Sequence, residues 1–214
     1  MKEIDLLIFD LDGTLIDSTQ DIVNAVNHTL GALGEPPLTE EMISQYVGVG
    51  VLRLLRKCIL QEHLDRADEA VSIFRRYYKS HLVDHTTLYP GIREVLDHFS
   101  GKKKAVLTNK TETFVRPILK GLGIKREISY AIGANSKGIP NPAKAPVEKI
   151  LKRFRSTPER TVIVGDSPVD VQTGRLAEIL TCGVTWGFHT REELTRAGPD
   201  YMIDHATELM GLFR

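Results

Sequence analysis

The chain has 214 residues, 42% of them hydrophobic, with 28 basic and 28 acidic side chains. This composition is typical of a soluble globular protein of one domain, or of one domain carrying an inserted smaller one. Balanced charge excludes a global basic field that would attract nucleic acid or anionic lipid. No stretch approaches the roughly 20 apolar residues that a membrane helix requires, and no signal-peptide pattern precedes the first apolar run. We expect a cytoplasmic protein with no nucleic-acid or membrane partner.

Short β-rich runs recur along the chain, and helical spacing follows most of them. The runs cover residues 4–9, 105–108, 130–133, 161–165, 181–185 and 201–203. The helical segments that follow cover residues 112–122, 145–154, 169–177 and 190–197. Alternation of this kind predicts βαβ units, and therefore an α/β fold with a Rossmann-like, mostly parallel sheet covered on both faces.

The interval 15–87 breaks this rhythm, because it has helical spacing and no convincing strand. Ser18 is a candidate N-cap for a helix that closes at Gly34, and further helices fit 39–46, 51–61 and 65–82. The sequence therefore predicts an α/β core domain made of residues 1–14 and 88–214, with residues 15–87 inserted as a separate helical domain.

Two carboxylates, Asp10 and Asp12, follow the first predicted strand directly. In an extended segment, residues i and i+2 point to the same side, so these like charges would be crowded together. A divalent cation between them, or a nucleophile beside an acid/base partner, would relieve that repulsion. An exposed charged loop is the structural alternative, but the Gly13-Thr14 continuation and a matching Asp166 favour a site.

Polar residues also follow three later strands. These are Thr108-Asn109, the segment Gly165-Asp166-Ser167-Pro168-Val169-Asp170, and a lysine that is either Lys137 or Lys144. Loops at the carboxyl ends of parallel strands converge on one ligand site. Carboxylates there suit Mg²⁺, while a hydroxyl and a lysine suit a phosphoryl group. A helix N-cap would also explain Thr108-Asn109, and a first-turn helix charge would also explain Asp170.

The segments 10–14, 108–109 and 165–170 resemble, in this order, the first, second and fourth motifs of the haloacid dehalogenase superfamily, in its phosphoglycolate phosphatase-like branch. The resemblance covers essentially the whole chain. It implies a Rossmann-like core, a cap domain formed by the inserted helices, and a Mg²⁺-dependent phosphatase. The expected substrate is a small phosphorylated metabolite, with 2-phosphoglycolate as the first candidate.

The same resemblance implies a role for each matching residue. Asp10 would be the nucleophile and a metal ligand, and Asp12 would be the acid/base, with its backbone carbonyl also on the metal. Thr108 would hold a phosphate oxygen, and Asp166 and Asp170 would complete the metal site. Further substrate contacts would come from Gly13, Thr14, Asn109, Gly48 and Gly50, although the last two would also suit a plain helix–helix turn.

The third motif departs from the family pattern. Relatives often show Lys-Pro-x-Pro before a helix, whereas this chain has a lysine at 137 and another at 144. We assign the catalytic role to Lys144, in a first helical turn, with Lys137 as the alternative. A pyrophosphatase, a β-phosphoglucomutase-like sugar phosphomutase and a non-catalytic phosphate-binding protein remain alternative functions. The sequence leaves monomer and homodimer equally open.

Overall fold

The computed structural model describes residues 1–134 and 142–214. Six strands form one sheet: β1 (Leu6–Phe9), β4 (Lys103–Thr111), β5 (Tyr130–Ala134), β6 (Thr161–Gly165), β7 (Leu180–Val184) and β8 (Tyr201–Ile203). Their order across the sheet is β5-β4-β1-β6-β7-β8, and every neighbouring pair is parallel. The predicted α/β fold with a parallel sheet is therefore confirmed.

Burial on both faces explains the apolar strands. Every residue of β1 is buried, as parallel strands covered on both sides require. Successive residues alternate between the faces: Leu7 and Phe9 belong to one apolar cluster, and Leu6 and Ile8 belong to the other. The sheet thus carries two cores, and its carboxyl edge stays free for polar side chains.

The strand β4 is longer than the sequence predicts. It continues through Thr108 and Asn109 to Thr111, and its register against β5 shifts after Leu107. The sequence predicts that these two polar residues follow the strand, whereas the structure places them within its irregular end. At this end the strand is no longer buried on both sides. Its residues there are polar, so the sequence pattern does not indicate a strand.

Helices fill the intervals between the strands and cover the sheet. They are α1 (Thr19–Leu33), α2 (Glu40–Ser44), α3 (Val51–Cys58), α4 (Ala67–Tyr78), α5 (Ile92–His98), α6 (Glu112–Gly121), α7 (Lys144–Phe154), α8 (Pro168–Leu176), α9 (Arg191–Ala197) and α10 (Leu209–Leu212), with short 3₁₀ turns at Gln61–Arg66, Pro158–Arg160 and Ala206–Glu208. Sequence analysis missed α5, because seven residues are too few for a clear helical period. No helix in the described ranges is both long enough and apolar enough to cross a membrane.

The four helices α1–α4 occupy the interval predicted to be inserted. Two very short strands, β2 (Ile16–Asp17) and β3 (Thr87–Leu88), pair antiparallel at its two ends. Sequence analysis found no strand here, because two residues show no periodicity. Buried Asp21 ties the two connections together: its carboxylate accepts hydrogen bonds from the His85 and Thr86 amides and from the Thr86 hydroxyl. The entry to and the exit from the helical segment therefore lie side by side.

Candidate active site

Three carboxylates meet where β1 and β6 end. These strands are neighbours, with Phe9 opposite Val164. One oxygen each from Asp10, Asp166 and Asp170 lies within 4.8 Å of the others. The sheet order thus brings together residues separated by more than 150 positions in the sequence.

Asp170 has the helix-capping role that the sequence analysis left open, and its metal-binding role stays a prediction. With Ser167 it forms a capping box at the start of α8, where Pro168 is the first residue of the helix. The Ser167 amide and hydroxyl both donate to its carboxylate, at 3.1 and 2.7 Å. The helix cap therefore fixes a carboxylate whose oxygen also faces Asp10.

Electrostatics make this cluster a fit for a divalent cation. Burial raises the pKa of Asp10 well above its usual value, and the nearby charges of Asp170 and Asp166 raise it further. Burial and Asp166 likewise raise the pKa of Asp170 to about 7. Such crowding of acids is unfavourable without a cation, and carboxylate oxygens are the ligands that Mg²⁺ prefers. Asp10, Asp166 and Asp170 are thus the residues that would hold the ion.

Neighbours on two loops fix the carboxylate of Asp166. Its oxygens accept hydrogen bonds from the Thr14 hydroxyl at 3.1 Å and from the Phe188 amide at 2.8 Å. Gly13 has φ +81°, and a Cβ there would lie 2.4 Å from an Asp166 oxygen. Gly13 is therefore required for close approach of the backbone, and Thr14 contacts a predicted metal ligand.

Asp12 is bound to a lysine that the sequence analysis overlooked. The ammonium of Lys110 lies 2.8 and 3.1 Å from the two Asp12 oxygens. Burial disfavours the charged lysine, but the interactions with Asp12 and Tyr78 together outweigh burial and raise the pKa of Lys110. Thr108 and Lys110 are two residues apart on one strand, so their side chains share a face. This two-residue spacing is the sequence signal that could have identified Lys110.

Ser18 completes the surroundings of Asp12. It holds the N-cap position of α1, as predicted, but its side chain makes no capping hydrogen bond. Instead its hydroxyl donates to an Asp12 oxygen at 2.6 Å. Asp12 therefore accepts hydrogen bonds from Lys110 and Ser18 and is not a member of the three-carboxylate cluster. The predicted metal contact of Asp12 is through its backbone carbonyl and stays a prediction.

The residues after Leu107 connect the sheet to the helical segment. Thr108 is buried, and its hydroxyl accepts a hydrogen bond from the Lys110 amide at 3.2 Å. It does not cap α6, because Thr111 occupies the N-cap position of that helix. The Asn109 side-chain amide donates to the Gly48 carbonyl at 3.1 Å. The Asn109–Gly48 contact thus holds the loop before α3 over the site.

Gly48 and Gly50 both have φ of +90°, a backbone conformation that favours glycine. They form a turn between helices, and they also line a cavity that reaches Asp10, Asp12 and Thr108. The turn between helices is therefore present, and the contact of these glycines with a substrate stays a prediction.

Lys144 lies at the exposed start of α7. It is the first residue of α7, its side chain is half-exposed, and its ammonium lies 3.5 Å from Glu148. It is not among the described residues that line the cavity. Lys137 lies outside the described residues. The assignment of the third motif to Lys144 stays a prediction.

Comparisons with known proteins agree over nearly the whole chain. A sequence model of the haloacid dehalogenase-like hydrolase family matches residues 7–184. The phosphoglycolate phosphatase of Colwellia psychrerythraea is 32% identical, over 98% of this chain and 97% of that protein. That of Aquifex aeolicus is 33% identical, over 97% and 95%. The crystal structure of a predicted phosphoglycolate phosphatase from Haemophilus somnus superposes with a TM-score of 0.89 at 27% identity, covering 98% of this chain and 97% of that one.

Proposed function

The chain belongs to the haloacid dehalogenase-like hydrolase family, and on that premise we propose that it is a Mg²⁺-dependent phosphatase that hydrolyses small phosphomonoesters through an aspartyl-phosphate on Asp10. The observation that carries the proposal is the clustering of Asp10 with Asp166 and Asp170 within 4.8 Å. Asp10 also lines a cavity that extends beneath α1, α3 and α4. The names of the relatives support 2-phosphoglycolate as one substrate.

Asp10 and Asp12 have different roles in the proposed reaction. In the first step, an Asp10 oxygen attacks phosphorus, the ester P–O bond breaks, and Asp12 gives a proton to the departing oxygen. In the second step, Asp12 takes a proton from water, the water oxygen attacks phosphorus, and Asp10 leaves as a carboxylate. Asp12 accepts hydrogen bonds from Lys110 and Ser18. A carboxylate that accepts in this way is the form that the second step requires. Proton donation in the first step requires the Lys110 contact to open.

A bound Mg²⁺ would neutralise the crowded carboxylates and the phosphate, so that one anion can approach another. The protein side of the phosphate site consists of the Thr108 hydroxyl and the backbone around Asn109, which donate to charge that develops on phosphoryl oxygens. Asp166 and Asp170 would hold the ion, and the Thr14 hydroxyl orients Asp166 through its hydrogen bond.

The segment 15–87 is proposed to act as a cap over this site. The paired connections β2 and β3 are suited to be its hinge, since the polypeptide passes through them once in each direction. Closure would exclude water while Asp10 attacks phosphorus. The Asn109–Gly48 hydrogen bond is one contact between the sheet and the cap that closure would use.

Phosphate release from 2-phosphoglycolate, with Mg²⁺ and with chelator, tests the activity. Phosphate release from pyrophosphate and isomerisation of glucose 1-phosphate test the two rival reactions. Acid quenching followed by borohydride reduction would convert an aspartyl-phosphate to homoserine, which mass spectrometry locates by peptide. We expect the modification at residue 10, and none in Asp10→Asn. Asp97→Asn, an exposed acid on α5, is the matched control and should keep wild-type turnover. Turnover by Asp10→Asn would refute the assignment of the nucleophile.

A further inference from the structure

The cavity beneath α1, α3 and α4 contains two hydrogen-bond donors that the phosphate chemistry does not use. Its volume is about 50 Å³, which is room for a few water-sized groups rather than for a long chain. Lys110, near the end of β4, and Tyr78, the last residue of α4, both line it. Their side chains therefore reach the same small space, one from the sheet and one from the helical segment.

The Tyr78 hydroxyl is buried and has no acceptor among the described residues. Tyr78 is 1% exposed, and its oxygen makes no hydrogen bond within the described ranges. Burial raises the pKa of Tyr78 above its ordinary value, so the hydroxyl keeps its proton and remains a donor. A buried donor without a partner is costly. This cost indicates that a bound group pairs with the hydroxyl when the cavity is occupied.

Lys110 also has a donor that its ion pair does not use. Its ammonium carries three N–H groups, and the two Asp12 oxygens, at 2.8 and 3.1 Å, accept from at most two of them. The ammonium lies 4.8 Å from the centre of the Tyr78 ring. A charged donor and a neutral donor therefore share this cavity, and a carboxylate has the oxygens to accept from both.

A carboxylate next to the ester oxygen of a substrate would lie close to both donors. In the proposed reaction Asp12 gives a proton to that ester oxygen, so the two must be in hydrogen-bond contact. Only two bonds of about 1.5 Å each separate the ester oxygen of 2-phosphoglycolate from its carboxylate carbon, and the Lys110 ammonium lies 2.8 Å from Asp12. A buried carboxylate needs a cation, and Lys110 is the one cationic side chain among the described residues that line the cavity.

We propose that Lys110 and Tyr78 form a subsite for a carboxylate on the leaving group, and that these two residues select small phosphorylated carboxylic acids as substrates. The proposal rests on the proposed phosphatase function and adds the residues that determine its specificity. Lys110 pairs with the carboxylate through its charge, and Tyr78 donates its hydroxyl. Because the carboxylate replaces Asp12 as the partner of Lys110, substrate binding also opens the contact that must open before Asp12 gives up a proton.

Three esters test whether the wild type recognises the carboxylate. They are 2-phosphoglycolate, its uncharged amide phosphoglycolamide, and ethyl phosphate, which lacks both oxygens. We expect kcat/KM for 2-phosphoglycolate to exceed that for phosphoglycolamide roughly tenfold or more, the factor that a hydrogen bond to a charged group supplies. The amide releases the more acidic alcohol, so leaving-group chemistry alone would favour the opposite order.

Tyr78→Phe removes the hydroxyl and keeps the ring. The ratio of kcat/KM for 2-phosphoglycolate to that for ethyl phosphate should fall roughly tenfold or more. The variant should melt no lower than the wild type, because the hydroxyl has no described partner to lose. Tyr77→Phe makes the same change at the preceding residue of α4, which does not line the cavity. This control should retain the wild-type ratio.

Lys110→Met tests the charge. It should lower the preference for 2-phosphoglycolate over phosphoglycolamide by roughly tenfold to a hundredfold. If this variant does not fold, Tyr78→Phe and the wild-type series decide.

The outcomes separate the subsite from the phosphatase function. Loss of selectivity in Tyr78→Phe without loss of thermal stability, and with Tyr77→Phe unchanged, supports the proposal. A Tyr78→Phe variant that melts well below the wild type and keeps its selectivity overturns it, because the hydroxyl is then a structural group. A wild type that does not prefer 2-phosphoglycolate to phosphoglycolamide also overturns it and leaves the phosphatase function intact. No phosphate release from any of the three esters would overturn the proposed function instead.

Discussion

Replacing Lys110 with methionine would leave Asp12 buried without its cation. The lysine side chain is 6% exposed and that of Asp12 is 8% exposed, with the ammonium 2.8 Å from the nearer carboxylate oxygen. Methionine keeps most of the volume and apolar length of lysine, so packing against the Tyr78 ring, 4.8 Å from the ammonium, is largely preserved. The substitution therefore tests the charge rather than the volume of the side chain.

The burial of this ion pair determines how much free energy of unfolding the substitution costs. Removing one partner of a buried ion pair costs about 3–5 kcal/mol, because an uncompensated charge remains inside the protein. Ser18 keeps one hydrogen bond to Asp12, which favours the lower end of that range. The pair Lys144–Glu148 is the contrast: its side chains are 51% and 56% exposed, four residues apart on α7. Loss of such a surface pair costs about 0.3–0.5 kcal/mol.

Urea unfolding at pH 7 would measure these free energies for the wild type, Lys110→Met, Asp12→Asn and the double variant, with Lys144→Met as the control. The folded-state pKa of Lys110 is raised, so its contribution is fully present below the unfolded lysine value and is lost only as pH rises through the folded one. Measurements at pH 7 therefore include all of it. We expect the double variant to recover much of the loss, with a coupling energy of about 2–3 kcal/mol.

The reasoning about the buried pair would be refuted by single variants that lose less than about 1 kcal/mol, the size of a surface pair, or by a strictly additive double variant. Either result would mean that Asp12 and Lys110 are hydrated or apart in solution. A loss in Lys144→Met equal to that in Lys110→Met would show that charge removal in general, rather than burial, causes the effect.

Three further results follow from the site. Asp10→Asn should abolish phosphate release and melt no lower than the wild type without Mg²⁺, because one of three crowded charges is removed; persistent turnover contradicts its role as nucleophile. Mg²⁺ at about 100 times its dissociation constant should raise the wild-type melting temperature by about 5–10 °C and that of Asp166→Asn far less; equal shifts in the two proteins would place the ion elsewhere. The assignment of the third motif predicts that Lys144→Ala lowers kcat/KM far more than Lys137→Ala, and a reversed ranking would move the role to Lys137.

Local sequence was sufficient for the strands of the sheet and for the acids that follow them. The run 161–165 is apolar and β-branched because parallel strands are buried on both faces, and its predicted bounds are those of β6. Asp10 and Asp166 were recognisable because each charged residue directly follows such a run. The spacing of the motifs then indicated the family that the comparisons confirm.

Elements too short to show a period escaped sequence analysis. The two residues of β2 pair with those of β3, about seventy positions away, and neither pair of residues resembles a strand alone. Ser18 looked like an ordinary N-cap, yet its hydroxyl binds Asp12. In each case the partner, rather than the residue itself, determines the role.

The sequence by itself determined which residues end the buried strands, and therefore which acids lie at one edge of the sheet, because burial and the two-residue strand period act over a few neighbouring positions. Only the tertiary structure decided that Lys110 pairs with Asp12 across 98 positions and that apolar side chains of the helical segment enclose the cavity. Those contacts depend on the placing of β4 beside β1 and on the packing of α1–α4 over the sheet, and no local pattern encodes either.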